Sequence, residues 1–299
     1  MPKTRPDAGS GAPIAAPAGA PERSRGAALG RARRRRRPDM LRIGGRIGLW
    51  PFVAIATAVF AGLLVLWTLA TANAWVKPIF LPSPEAVWDR LVELARGGEL
   101  ADDVRVSVYR IAVGFALATV MAIPVGLLIG AYRFWEAAIE PLVDFIRYMP
   151  VVAFVPLTIL WAGTEDTQKF LIIWIGTFFQ QVLLIMDNAK RVPLDFVDIG
   201  RTLGMKDRAI LMRIILPASA PGIWDSMRIS VGWAWTWLVL AELVAATSGL
   251  GYRITTAQRF FQTDTIVGYI LVLGVLGLVT DQLMKAFGRR MFRYAEERR

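Results

Sequence analysis

The sequence of 299 residues contains no cysteine and no histidine. Without cysteine the chain forms no disulfide and offers no thiolate as a nucleophile or zinc ligand. Without histidine it has no Ser-His triad, no imidazole base and no histidine metal site. The phosphate-binding pattern GxxxxGK(S/T) is also absent, so we expect that this chain does not itself bind ATP in that loop. Metal-free carboxylate catalysis is not excluded by composition.

Charge is scarce and unevenly distributed, since only 20% of the residues are charged although the net charge is +11. Residues 1–49 hold 12 of the 35 cations and 3 of the 24 anions. We predict that residues 1–48 form a disordered basic tail. Its Arg33–Arg37 run precedes an apolar stretch, and we expect it to face anionic membrane lipid. We predict no nucleic-acid function.

Long hydrophobic runs dominate the rest of the chain, in which hydrophobic residues reach 55% overall and the mean hydropathy is +0.45. Each run is near the ~20 residues that a helix needs to cross a bilayer. The pattern predicts an all-α integral membrane protein with about six transmembrane helices. The runs lie at about 50–72, 107–131, 144–162, 169–187, 221–247 and 265–287.

The loop cations predict the orientation. With both termini in the cytoplasm, 26 cations lie in cytoplasmic segments and seven in external ones, which agrees with the positive-inside rule. The transmembrane domain then covers residues 49–290, and residues 291–299 form a cytoplasmic end. An alternative is that the first run is a signal peptide cleaved after Ala72-Asn73-Ala74, but its apolar part is longer than such peptides carry.

Small residues recur every four positions in the second run. Such a stripe lets two helix backbones approach closely in lipid. The partner is either another helix of this chain or a second subunit. The stripe consists of Gly114, Ala118, Ala122, Gly126 and Gly130.

The segment 188–220, predicted to be cytoplasmic, has helical spacing in two short pieces. Asp195 and Asp198 lie near the start of the first piece, where carboxylates suit the helix dipole. Gly204 suits the positive φ of a helix C-cap, and we expect the second piece to end near Pro217, where the chain turns back toward the membrane. Two interpretations stay open on this pattern: the pair docks in a partner's groove, or it lies on the membrane surface.

The same segment resembles the loop signature of ABC-importer permeases, the type I binding-protein-dependent family. Four positions match its spacing: Gly204, Ile214, Leu216 and Pro217. The preceding Arg201-Thr202-Leu203 completes the common R-T-L-G form. The sequence departs from the pattern at Asp198-Ile199-Gly200, where the family has Glu-Ala-Ala.

Further motifs resemble the nitrate/sulfonate/taurine-type branch of these permeases, and the resemblance covers about residues 78–290. They are Leu81-Pro82-Ser83-Pro84, Ser107-Val-Tyr-Arg110, Gly114-Phe115, Ala241-Glu242 and Ser248-Gly249-Leu250-Gly251-Tyr252.

The resemblance implies a type I ABC importer permease fold in a bacterial inner membrane. It implies that two permease copies, as a homodimer, form the pathway, and that a periplasmic binding protein delivers the solute. Cytoplasmic ATPase subunits would hold the ATP and magnesium, so this chain would be no enzyme and bind no cofactor or metal. The branch implies a small anion such as a sulfonate, taurine, nitrate or bicarbonate, with a pyrimidine thiamine precursor as the alternative. The coupling residues implied are Asp195, Asp198, Ile199, Gly200, Arg201, Thr202, Leu203, Gly204, Ile214, Leu216 and Pro217.

Polar side chains inside the predicted spans are candidates for the pathway or gate, because they are costly in lipid. We name Glu242, Gln180, Gln181 and Trp237. The alternative for Glu242 is structural pairing with another helix.

Two other classes of protein make different demands on the sequence. An ion-coupled secondary transporter predicts internal repeats and paired broken helices, and no convincing repeat is visible. A membrane enzyme would need catalytic polar groups clustered at one interface, and only scattered carboxylates are found; we predict no catalytic residue.

Overall fold

A computed structural model of the protein describes residues 48–293, and these residues form helices and no β-strand. The chain divides into two units, residues 1–59 and 60–299. Of the first unit the description covers Gly48 and the helix from Leu49 onward. The predicted tail, residues 1–48, therefore lies outside the described residues apart from Gly48, and the predicted end, residues 291–299, is described only to Arg293.

The described helices follow one another with short connections. A 3₁₀ turn, Val151–Phe154, precedes α5, and a π-helical segment, Leu211–Ile215, joins α8 to α9. The α-helices are α1 Leu49–Ala72, α2 Pro84–Arg96, α3 Glu99–Ala131, α4 Arg133–Arg147, α5 Val155–Ala162, α6 Asp166–Lys190, α7 Leu194–Thr202, α8 Asp207–Ile210, α9 Leu216–Ala245, α10 Leu250–Arg259 and α11 Thr263–Met291.

Four of these helices are long and apolar enough to cross a membrane alone: α1, α3, α6 and α11. Two bent pairs raise the number to six if each pair counts as one span. One pair is α4 with residues 151–162, bent by 89°, and the other is residues 207–245 with α10, bent by 49°. By length and composition, the described residues thus agree with the predicted all-helical membrane fold of about six spans.

The third predicted run, 144–162, is not one straight helix. The bend follows α4, which ends at Arg147, and the chain resumes in the 3₁₀ turn after Pro150. A proline disfavours helical backbone in the residue before it, which accounts for a break at this position.

The expectation that a helix ends near Pro217 is wrong. Pro217 lies in the first turn of α9, and the helical path runs on from α8 through the π segment to Ala245. Within that segment the Leu216 N–H donates to the Leu211 carbonyl, five residues earlier. The wider π turn shifts the hydrogen-bond register just before a residue that has no N–H to donate, so the helix continues instead of ending.

The small-residue stripe of α3 packs against α6 of the same chain. A Cβ added to Gly126 would lie 2.7 Å from both the Val182 carbonyl oxygen and Ile185 Cβ. A Cβ on Gly130 would lie 2.7 Å from Ala189 Cβ. Ala118 and Ala122, between these glycines and Gly114, are fully buried. The absence of larger side chains therefore sets how closely these two helices approach.

We predict that Gly126→Ala destabilises the protein, because the new methyl group meets helix backbone that cannot turn away. Overpacking of this kind costs about 1–3 kcal/mol. The matched control is Gly274→Ala in α11, where nothing lies within 4 Å of the added Cβ. Thermal unfolding in detergent measures both variants. Equal unfolding temperatures for the two would contradict the packing described for α3 and α6.

Candidate functional site

The short helix α7 and the residue after it present apolar side chains that the described residues leave partly or largely exposed. Ile199 is 57% exposed and Leu203 is 75% exposed, and Phe196 lies on the same side of the helix at 44%. The predicted coupling residues Asp195 and Asp198 are also exposed. We call these three apolar side chains, Phe196, Ile199 and Leu203, the α7 face.

Next to the α7 face, Gly200 makes the contact of α7 with the rest of the fold, and it is the only buried residue of this helix. A Cβ at Gly200 would lie 2.8 Å from Ile214 Cδ1 and 3.3 Å from Ile210 Cγ1. The missing side chain lets α7 lie directly on α8 and the π segment. Glycine at this position, a departure from the Ala of the family signature, thus has a packing role in addition to its helix-propensity cost.

The turn after α7 has the hydrogen bonds of a Schellman motif. The Gly204 N–H donates to the Arg201 carbonyl at 2.9 Å, and the Met205 N–H donates to the Gly200 carbonyl at 3.0 Å. Gly204 has φ +72°, which confirms the positive φ predicted for it. This backbone conformation favours glycine and stops α7 at Thr202.

The remaining predicted coupling residues lie around this turn. The Thr202 hydroxyl donates to the Asp198 carbonyl at 2.9 Å, and Arg201 lies 3.5 Å from the Asp198 carboxylate. Both members of that ion pair are exposed, so it adds little stability. Ile214 and Leu216 are half-buried, whereas Pro217 is exposed.

The predicted pathway candidates lie in different environments. Gln180 is half-buried, while Gln181 is 1% exposed and its amide atoms have no hydrogen-bond partner among the described residues. Trp237 packs against α6, where a Cβ on Gly176 would lie within 2.6 Å of three atoms of its ring. That these side chains line a pathway stays a prediction.

Glu242, the fourth candidate, is 1% exposed and its carboxylate is surrounded by donors. Arg110 Nη1 donates to Oε1 at 2.9 Å, and the Ser107 hydroxyl lies 2.8 Å from the same oxygen. The Gly251 N–H donates to Oε2 at 2.9 Å. A buried carboxylate needs such compensation, because an unpaired charge in a low-dielectric interior is very costly.

A second buried carboxylate, Asp103, lies beside the first. It accepts from the Gly249 N–H at 3.1 Å, and its other oxygen accepts from Arg253 Nε and the Tyr269 hydroxyl, each at 2.9 Å. The Leu250 N–H donates to the Ser107 hydroxyl at 2.9 Å. Three successive N–H groups at the start of α10 are therefore satisfied by side chains of α3 and α9, and the helix dipole favours the negative charge there.

Arg110 extends the same network to α6. Its Nε donates to Asp166 at 2.7 Å and its Nη1 donates to the Ser248 carbonyl at 2.6 Å. Lys169 of α6 is also buried, and its ammonium donates to the carbonyls of Thr164, Glu165 and Ala245. We call the set Asp103, Ser107, Arg110, Asp166, Lys169, Glu242, Arg253 and Tyr269 the buried charge cluster. It joins α3, α6, α9, α10 and α11.

Much of this cluster was not singled out from the sequence. Asp103, Asp166, Lys169 and Tyr269 belong to no motif, and their partners on other helices lie far away along the chain, so the sequence carried no signal for them. Three motifs of the branch resemblance do meet here: Ser107–Arg110, Ala241-Glu242 and Ser248–Tyr252. One signal could have predicted part of the cluster: Arg110 and Glu242 are opposite charges in two apolar runs, and such charges are expected to pair with each other.

Comparison with known proteins identifies the family. Residues 122–293 match the family described as "Binding-protein-dependent transport system inner membrane component". An ABC transporter permease protein by name, from Brucella abortus, is 39% identical over 230 residues, 77% of this chain and 91% of that protein. The taurine transport system permease protein TauC of Escherichia coli is 29% identical over 250 residues, 81% of this chain and 91% of TauC. The chain belongs to the family of binding-protein-dependent ABC importer permeases, in its sulfonate/taurine/nitrate branch.

A solved structure supports the same fold. A chain of the MetNI methionine ABC transporter, in an inward-facing conformation, superposes with a TM-score of 0.56 at 16% identity. The match covers 62% of this chain and 92% of that one. The fold is therefore that of a type I ABC importer permease.

We predict that Glu242→Ala strongly destabilises the protein, because Arg110 loses a buried partner and the Gly251 N–H loses its acceptor. Removing one member of a buried pair costs about 3–5 kcal/mol. Glu93→Ala on α2 is the matched control, since Glu93 is 69% exposed and pairs with Arg90 only at the surface, a contact worth about 1 kcal/mol or less. Thermal unfolding in detergent compares the two. A loss no larger than that of Glu93→Ala would show that the buried pair is dispensable.

Proposed function

We propose that this chain is the membrane subunit of an ATP-driven importer and that it couples to a cytoplasmic ATPase through residues 195–217. The observation that carries this proposal is the α7 face: apolar, exposed, and mounted on a rigid turn. A helix of this kind suits a groove in a partner, with the apolar residues as anchors. The chain has no phosphate-binding loop of its own, so the energy source must lie on another subunit.

Family membership supports a proposal for the assembly as well. Two copies of this chain form the pathway as a homodimer, and an external binding protein delivers the solute. Both termini lie in the cytoplasm, which is supported by 26 cations on the cytoplasmic side against seven outside. The α7 face and the arginines around it then lie on the side where ATP is available.

The solute is a small anion, of which a sulfonate such as taurine is the first candidate. Support for this class comes from the TauC relative, which is named for taurine transport. Because this relative is 29% identical, it supports the class of solute and not one compound.

Replacing the α7 face with charge tests the coupling proposal. We predict that the double variant Ile199→Asp with Leu203→Asp loses the ATPase subunit, because carboxylates desolvated in an apolar groove have no partners. The measurement is the amount of ATPase retained per permease after purification from the native membrane in mild detergent. We expect a decrease of about tenfold or more, which corresponds to about 1.4 kcal/mol or more of lost binding.

The control for that variant is Leu194→Asp. Leu194 is 74% exposed on the same helix, but five residues from Ile199 it projects about 140° away. We expect it to retain the ATPase. Full retention by the double variant, or equal loss by the control, would contradict docking through the α7 face.

The backbone of Gly204 provides a separate prediction. Gly204→Val forces a β-branched residue to adopt φ +72°, although no atom lies within 4 Å of the added Cβ. The strain of about 1–2 kcal/mol should misplace α7 and reduce ATPase retention, while Gly204→Asn, which tolerates a left-handed backbone, should retain it. Co-purification measures both variants. If both variants lose the ATPase equally, or if Gly204→Val retains it, the backbone conformation of Gly204 does not have the role assigned to it.

A further inference from the structure

A cavity of about 760 Å³ lies where the end of α6 meets the starts of α7 and α9. Its volume is that of a site for a small molecule. Apolar side chains such as Phe196 and Pro217 form part of its wall, and Arg191 and Arg213 provide its only charges. None of its lining residues carries a carboxylate.

Some cations at this end of the described helices pair with a carboxylate, whereas others, among them Lys206, Arg208 and the two exposed arginines of the cavity, do not. Lys190 pairs with Glu136, Arg201 with Asp198, and Arg228 with Asp281. Neither Arg191 nor Arg213 forms an ion pair with a residue between 48 and 293. The cavity therefore contains uncompensated positive charge.

Guanidinium groups are well suited to binding oxyanions in a bidentate geometry. Each presents parallel N–H donors that match two oxygens of a sulfonate, carboxylate or phosphate, and it stays charged at every physiological pH. The two other polar side chains of the lining already donate hydrogen bonds: Asn188 Nδ2 donates to the Leu184 carbonyl and the Ser226 hydroxyl, and the Ser219 hydroxyl donates to the Ile215 carbonyl. An anion in this cavity would be recognised by the two arginines.

We propose that this cavity binds the sulfonate group of the transported solute through Arg191 and Arg213. The proposal rests on the proposed function and deepens it, since it places a solute site at the cytoplasmic end of the permease. Two features connect the site to coupling. Arg213 belongs to the π segment, and such segments occur frequently at functional sites. Ile214, which follows it, lines the cavity and also packs against Gly200 under α7.

The test uses the purified full chain in phosphatidylcholine nanodiscs, with methanesulfonate as the probe. Chloride keeps the ionic strength constant, and dimethyl sulfone provides an uncharged probe of similar shape. The fluorescence of the 11 tryptophans reports thermal unfolding, and a ligand that binds the folded state raises the unfolding temperature in a saturable way. We expect stabilisation by methanesulfonate and none by dimethyl sulfone.

The variants Arg191→Gln and Arg213→Gln assign that response to the cavity. Because a charge-assisted hydrogen bond is lost in each, we expect the apparent affinity to fall about tenfold or more. The control is Arg208→Gln, which removes a guanidinium group from the same stretch of chain but does not line the cavity. The proposal predicts wild-type affinity for this control.

Several results would overturn the proposal. One is an equal response in all three variants, and another is a response to dimethyl sulfone. A third is that phosphatidylglycerol nanodiscs stabilise the protein without methanesulfonate, and do so only when Arg191 and Arg213 are present, because the bound anion would then be an anionic lipid headgroup. If the two variants keep the sulfonate response and lose the ATPase, the arginines belong to the docking surface. If the wild-type protein retains its ATPase but methanesulfonate does not raise its unfolding temperature, the proposed anion site is refuted, whereas the proposed importer function is not.

Discussion

The buried pair of Arg110 and Glu242 is the interaction on which the packing of the described helices most depends. Neither charge is stable alone in the interior of a membrane protein, so each requires the other and the donors around it. Satisfying them brings α3, α6, α9 and the start of α10 to one place. Gly249 closes the arrangement, because a Cβ there would lie 2.4 Å from Glu242 Oε1. At this end of the helices, the need to pair buried charges and hydrogen-bonding groups therefore determines the helix positions more than apolar contact does.

The other end of α9 has the opposite character. There the apolar side chains of the α7 face are exposed, and Arg191, Arg208 and Arg213 form no ion pair with a carboxylate of residues 48–293. Glu242 and Leu216 are 26 residues apart on one helix, a separation of roughly 40 Å. A continuous helix thus connects a saturated, buried polar network with a surface on which apolar side chains are exposed. This asymmetry agrees with the proposed coupling to a partner at the exposed end.

Sequence reasoning succeeded where the signal is local or composition-based. Apolar run length predicted about six spans, and the position of Gly204 predicted a positive φ that the Schellman motif confirms. It failed at Pro217, because a proline normally ends a helix and the π register that permits continuation is not visible in a linear pattern. The same limit applies to Asp103 and Tyr269, whose partners lie 146 and 166 residues away along the chain.

The sequence by itself determined the class of this protein: an all-helical membrane subunit without an ATP-binding loop, bearing the importer loop signature. The lengths of the apolar runs, the absence of certain residue types and the spacing of residues within a motif are properties of the linear chain, so they are visible without a structure. Only the tertiary structure decided that the glycine stripe packs on α6, that Gly200 seats α7 on Ile214, and that Glu242 meets Arg110. These outcomes depend on which helices become neighbours, and that choice follows from the joint satisfaction of packing and buried charge.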